Sequence, residues 1–230
     1  MGRAESFQLK GKMELKQAIE QRRSIRDFQP KPVPGELIEK ILDAAIKAPS
    51  NSNRQPWEFL VVTGRKLEKL ITELESAPEG GRAGRELKTW DDRFPMPEDG
   101  NRRAGELMKG LLQAAARDGI APAEFIRANF RFFGAPCVIV VLMDKGYGYG
   151  SLLSIGAAIQ NLLLAAHDLG LGSCWMMIPL ERSQVFRQLF RIPDHKILVS
   201  VIALGYAKTS TVNQFKSNRD PKEKVVKFLD

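Results

Sequence analysis

The chain has 230 residues, enough for one well-buried domain, and its 43% hydrophobic and 27% charged content excludes a disordered protein. Its net charge of +8 is spread among acidic residues with no basic run interleaved with aromatics, so nucleic acid is not an expected partner. Two histidines and two distant cysteines, Cys137 and Cys174, argue against a metal site or a disulfide framework. No apolar run approaches the ~20 residues of a membrane span, so no membrane is expected as a partner. The N-terminus lacks a signal-peptide core, and the cytoplasm is the expected location.

Residues 1–12 read as a polar lead-in. From Met13 to Gln21, Leu15, Ala18 and Ile19 fall at helical spacing and deliver Arg22 to Arg26 at the helix end. Pro30, Pro32 and Pro34 enforce an extended connection to a second helix, whose apolar face is Leu37, Ile38, Ile41, Leu42, Ala45 and Ile46. Pro49 ends that helix and leaves Ser50 to Gln55 in a loop. Trp57 to Thr63 reads as a strand, closed by Gly64, and a helix follows to about Ser76.

Between roughly 76 and 128 the composition shifts to Gly, Pro and charge, with Trp90 and Phe94 among them. Leu107, Leu111 and Leu112 mark a helix there, and Phe125 to Phe133 another. The segment is too small for its own core and is expected to be a lid-like insert in a single domain spanning 1–230. Ala135 to Met143 is the most apolar strand, expected to be buried on both faces. Gly146, Gly148 and Gly150 precede the helix Ser151–Leu169, but their spacing fits a dinucleotide-binding turn poorly and a tight exposed turn well. That helix is apolar nearly all round, which points to burial on more than one side, at a subunit interface. Ser173 to Ile178 is a short strand, Glu181 to Phe190 a polar helix, and Ile197 to Tyr206 a second buried strand. The tail from Ala207 carries Val225, Val226 and Phe228 without partners of its own.

Several strands separated by helices suggest a central sheet covered on both sides. Two stretches carry candidate chemistry. Arg22-Arg23-Ser24-Ile25-Arg26 suits a phosphate, because guanidinium groups grip phosphate bidentately. Ser50-Asn51-Ser52-Asn53-Arg54-Gln55 suits a ring edge of mixed polarity, because its amides and hydroxyls both donate and accept. From spacing alone, a solvated helix face and a capping turn account for them equally well. Cys174 with His195 and Asn213 could be imagined as a thiol system, but burial is the commoner state of a cysteine. No acid–base constellation appears.

Arg22-Arg23-Ser24-x-Arg26, then Ala48-Pro49-Ser50 and Asn53-x-Gln55-Pro56-Trp57, resemble the FMN-dependent nitroreductase family. The likeness continues through Gly172-Ser173-Cys174-Trp175 and Ala203-Leu204-Gly205-Tyr206 to Arg219, leaving out only about 76–128. The resemblance implies an α+β fold with a central mixed β-sheet between two helical layers, in a homodimer with exchanged C-terminal tails and FMN at the interface. It implies that Arg22, Arg23, Ser24 and Arg26 hold the flavin phosphate, ribityl chain and pyrimidine edge. It further implies that Pro49, Ser50, Asn51, Ser52 and Asn53 reach the flavin bound mainly by the other subunit. Trp175, Met176, Met177 and Ile178 would lie against the ring, Asn129 near it, and Arg219 on the phosphate. The lysine many members carry two residues before that arginine is Ser217 here, with Lys216 beside it.

The implied activity is hydride transfer from NADH or NADPH to a small electron-poor acceptor, a nitroaromatic or quinone, by alternating use of one flavin face. The flavin carries the hard step, so no catalytic side chain is required. Arg26 would favour reduction by stabilising negative charge at the pyrimidine. Trp90 and Phe94 are the expected substrate lid. Within the family, a reductive dehalogenase or a flavin-modifying enzyme is the alternative, and outside it a flavin-binding redox sensor.

Overall fold

The computed structural model describes residues 13–78, 81–87 and 96–229. Its centre is a four-stranded sheet of β1 (Glu58–Thr63), β2 (Cys137–Asp144), β3 (Gly172–Met176) and β4 (Lys196–Gly205), in the order β1-β2-β4-β3. Each neighbouring pair is antiparallel. A mixed sheet was expected; among the described residues the parallel pairing is confined to an isolated bridge between Ser24 and Ser173 at the outer edge of β3.

Strand alternation sends side chains to two separate cores, and helices cover both. On one face Val138, Val140 and Leu142 of β2 meet α3 (Gly64–Ser76), α4 (Glu98–Arg117), α5 (Pro122–Arg127) and α7 (Ser183–Phe190), through Leu70, Leu111, Phe125 and Phe186. On the other, Ile139, Val141 and Met143 meet α2 (Gly35–Ala45) and α6 (Gly150–Asp168), through Ile41, Ile155, Ile159 and Leu162. The three-layer arrangement expected from the sequence is therefore present. By length and composition α6 could cross a membrane, but these residues make it a core helix of the second layer.

In β4 the register against β2 slips: Val141 pairs with Ser200 and Leu142 with Leu198, so Val199 is an extra residue. The slip inverts the alternation. Val201 and Leu198 both enter the first core, while Ile202 and Val199 both enter the second. Leu198 lies beyond the last residue paired with β3, and its N–H donates instead to the carboxylate of Glu86 at 2.9 Å. Arg187 grips the same carboxylate through Nε at 2.5 Å and Nη2 at 2.8 Å.

Much of the expected insert is thus built into the body. Helices α4 and α5 supply the first core, and Ser183 Oγ donates to the Gly84 carbonyl at 2.7 Å. Gly84 lies so close to the Glu181 backbone that a Cβ would collide with it. Trp90 and Phe94 lie outside the described residues. The expected helix Phe125–Phe133 divides: α5 ends at Arg127 and a 3₁₀ stretch, Ala128–Gly134, follows, with Phe132 and Phe133 at φ 51° and 56°. Burial of both rings in the first core holds those left-handed conformations.

Glu86→Ala is expected to cost about 3 kcal/mol, because it leaves a mostly buried guanidinium and the Leu198 N–H without their shared acceptor. Urea unfolding would report this as a lower midpoint at unchanged slope. An unchanged midpoint would show that Arg187 finds other partners.

Candidate functional site

Helix α1 (Leu15–Gln21) ends at Arg22, and the chain then runs as a strap beside β3. The strap is held by its backbone and by the buried side chains of Ile25 and Phe28, not by its arginines. Ile25 N donates to Ser173 O at 2.9 Å, Phe28 N to Phe133 O at 3.2 Å and Gln29 N to Tyr206 O at 2.8 Å. Gly172 permits the close approach, since a Cβ there would stand 2.6 Å from Ile25 Cγ1. Buried Asn213 is the central fastener. Its Oδ1 accepts from Arg26 N at 2.7 Å, and its Nδ2 donates to Asp27 O at 2.7 Å and to Lys208 O at 3.0 Å.

Arg22, Arg23, Ser24 and Arg26 then line a cleft of about 400 Å³ together with Lys216, Ser217 and Arg219 from the tail. Glu20 is the one acidic residue on its wall, against five cations: Arg22, Arg23, Arg26, Lys216 and Arg219. Partial burial lowers the Arg22 pKa first, and the charge of Arg219 lowers it further. Among the described residues none of these five makes an ion pair. Guanidinium groups held together at partial burial repel one another, and a dianion between them removes that cost. The donor set therefore fits a phosphate group. Arg219 folds back on its own segment, donating to Ser217 Oγ at 2.8 Å and to the carbonyl of Asn218 at 3.0 Å.

Cys174 lies beneath this cleft, almost wholly buried, with the Ser24 hydroxyl as a hydrogen-bond partner. Burial raises its thiol pKa, and the positive charge of Arg26 and Arg22 lowers it less. The thiol is a packing element, and Asn213, weighed from sequence as its partner, fastens the strap instead. His167 at the end of α6 has its pKa lowered by burial and then by Arg22 and Arg23, so it adds no further charge at neutral pH.

The other expected site residues do not enter this cleft within one protomer. Pro49 to Asn53 lead into and form a 3₁₀ turn, Asn51–Asn53, on the second layer, where Asn51 N donates to Ser154 Oγ at 3.3 Å. Ser50 Oγ accepts from Gln55 N at 3.1 Å, and Tyr147 Oη donates to Arg54 O at 3.3 Å. Ser52, Asn53 and Gln55 all have positive φ, at 52°, 53° and 47°, and the side chains from Asn51 to Gln55 face solvent. Trp175 is 44% exposed on the edge strand, Met176 is buried, and Met177 and Ile178 are half-buried. Asn129 is buried and donates to Ile126 O at 2.9 Å, so its amide serves its own turn. The strap, Lys216, Ser217 and Arg219 are brought together; loop 49–53, Asn129 and the end of β3 are not. Sequence reading missed the cleft-wall residues Leu107 and Phe215 and the fastening role of Asn213, for which no local pattern exists.

A helix–sheet–helix fold with a cationic strap at its edge strand defines a member of the nitroreductase family, and residues 19–206 match that family. The chain belongs to it. It is 32% identical over 219 residues to the chloronitrobenzene nitroreductase of Comamonas testosteroni, covering 92% of this chain and 95% of that one. It is 31% identical to the 4-nitrobenzoate reductase of Pseudomonas putida, covering 92% and 93%. Among solved structures, the FMN- and NADPH-dependent nitroreductase NfnB from Sphigopyxis sp. strain HMH superposes with a TM-score of 0.84 at 26% identity, over 95% of this chain and all of that one. NfnB from Mycobacterium smegmatis, solved with NADPH, gives 0.77 at 27% identity over 94% and 100%.

Inorganic phosphate is expected to raise the melting temperature of the flavin-free chain, by about 1.4 kcal/mol of stabilisation at tenfold excess over its Kd. Scanning calorimetry of the Arg22→Gln/Arg219→Gln double variant should show that increment gone.

Proposed function

We propose that this chain is an FMN-dependent NAD(P)H oxidoreductase that reduces nitroaromatic or similarly electron-poor acceptors. The observation that carries the reading is the cleft of five cations that make no ion pair among the described residues, in a chain whose relatives are named nitroreductases. Arg22, Arg23 and Arg219 would hold the phosphate, with Lys216 supplying the charge that Ser217 does not. When bound, the flavin supplies hydride transfer, accepting from NADH or NADPH and delivering to the acceptor. The protein's part is to bind, orient and exclude water. Arg26 is fixed at its backbone by Asn213 and places a permanent positive charge beside the ligand. Trp175 and Met176 at the end of the strap's anchor strand β3, with Met177 and Ile178 just after it, are the proposed wall against the ring.

Loop 49–53 completes the site only if it serves a second protomer, because it stands apart from the cleft of its own. A homodimer is accordingly part of the proposal. Leu153, 80% exposed on α6 and adjacent in sequence to the loop's partner Ser154, and exposed Leu15 and Ile19 on α1 supply apolar surface for such an interface. The tail residues Val225, Val226 and Phe228 are also exposed and are suited to reach a neighbouring protomer.

The purified chain reconstituted with FMN should show a bound-flavin spectrum that bleaches with anaerobic NADH or NADPH and recovers on adding a nitroaromatic. A chain that retains no FMN would overturn the reading. Donor and acceptor sharing one face should give parallel double-reciprocal lines, and intersecting lines would refute a shared site. Leu153→Arg should shift sedimentation from dimer toward monomer and weaken FMN retention together; loss of neither would remove α6 from the interface.

A further inference from the structure

We infer that helix α4 positions the phosphate arm, through a notch at Gly110 that seats Phe215 and through an ion pair between Arg103 and Asp220; this rests on the phosphate reading of the cleft. The arm is the extended segment from Phe215 to Asp220, which carries Lys216, Ser217 and Arg219. It follows the short helix α8 (Thr211–Gln214) and has no strand partner among the described residues. A second cavity of about 790 Å³, walled by α4, the arm itself and Val225, shares Leu107, Phe215, Lys216, Ser217 and Arg219 with the first. A segment bordered by two clefts depends on its end anchors for its position.

Both anchors lie on α4. A Cβ at Gly110 would fall 2.9 Å from Phe215 Cζ and closer still to the neighbouring ring carbon, so the bare backbone of α4 is what admits the ring. Seven residues earlier on the same helix, Arg103 Nη1 meets Asp220 Oδ2 at 2.5 Å. Residues seven apart lie on one helix face, about two turns or ~10 Å apart along the axis. Leu107 lies between them and lines both cavities. The adjoining face of α4 is fixed in the first core by Leu111, Ala114 and Ala115, with Leu107 packed against the same core. The helix is therefore a rigid rail, and the arm is strung along it with Arg219 one residue from the ionic anchor. At the near end, Asp118 after α4 accepts from Thr211 N and Val212 N at 2.8 Å each, tying α8 to the same helix.

The acidic partner makes this arrangement selective. Asp220 adjoins Arg219, yet its carboxylate is engaged by Arg103 and so is drawn away from the phosphate cations. Removing Arg103 would release that carboxylate to compete for Arg219. Gly110, Phe215 and Arg103 are positioning residues that act through Arg219.

The test compares affinities of the flavin-free full chain for FMN and for riboflavin, which lacks the phosphate, by quenching of flavin fluorescence. The native chain should prefer FMN. Gly110→Ala and Arg103→Ala should each cut that preference by about tenfold, the scale of one charge-assisted hydrogen bond, with riboflavin affinity unchanged. In an Arg219→Ala background neither change should reduce the preference further. Equal loss of FMN and riboflavin, a retained preference, or full additivity with Arg219→Ala would each overturn the positioning role while leaving the phosphate cleft in place. A native chain with no preference for FMN would overturn the cleft assignment and this inference with it.

Discussion

The strap from Arg22 to Gln29 has to hold three guanidinium groups near two further cations, and that repulsion is the constraint the surrounding structure answers. It does so with backbone bonds, which leave the charges themselves uncompensated. Asn213 takes one N–H and two carbonyls, β3 takes Ile25, and Gly172 removes the side chain that would hold strap and strand apart. Replacing any of these with an acidic partner would relieve the repulsion and also oppose the anion binding proposed for the cleft. The fold spends stability to keep a cationic cleft open.

The sheet provides the platform for that arrangement. Buried β2 and β4 divide two cores, and the edge strand β3 carries the strap at its start and Trp175 toward its end. The extra residue Val199 lets β4 feed both cores on either side of the slip, and Glu86 takes up a backbone donor where β3 no longer runs. Helix α4 contributes to one core on one face and supports the C-terminal arm on another. Part of a segment that looks like an addition in sequence is thus built into the fold.

What was legible in the sequence was local. β2 is apolar from Cys137 to Met143, so its burial on both faces could be read directly, and the α2 face followed from helical spacing. The arginine cluster was legible through its resemblance, which supplied a role that spacing left open. The missed features join distant parts of the chain. Asn213 acts on Arg26 across 187 positions, and the Gly110 notch means nothing until Phe215 is folded onto it. The bulge at Val199 sits in a run that is apolar from Ile197 to Leu204 except for Ser200, so no change of period marks a slip. The positive φ of Ser52 and Gln55 is likewise not marked by residue type, since neither serine nor glutamine favours that region.

In the proposed dimer, the left-handed Ser52, Asn53 and Gln55 have a consequence for assembly. Ser154 and Tyr147 hold the loop's main chain from the side of its own protomer, so its outward amides and hydroxyls stand in a fixed constellation before any neighbour arrives. Docking against a rigid template loses little conformational entropy, and that lowers the threshold for two weakly contacting surfaces to associate. The same rigidity makes the loop an unforgiving ruler: a ligand shifted along its groove would find these groups displaced and unable to follow.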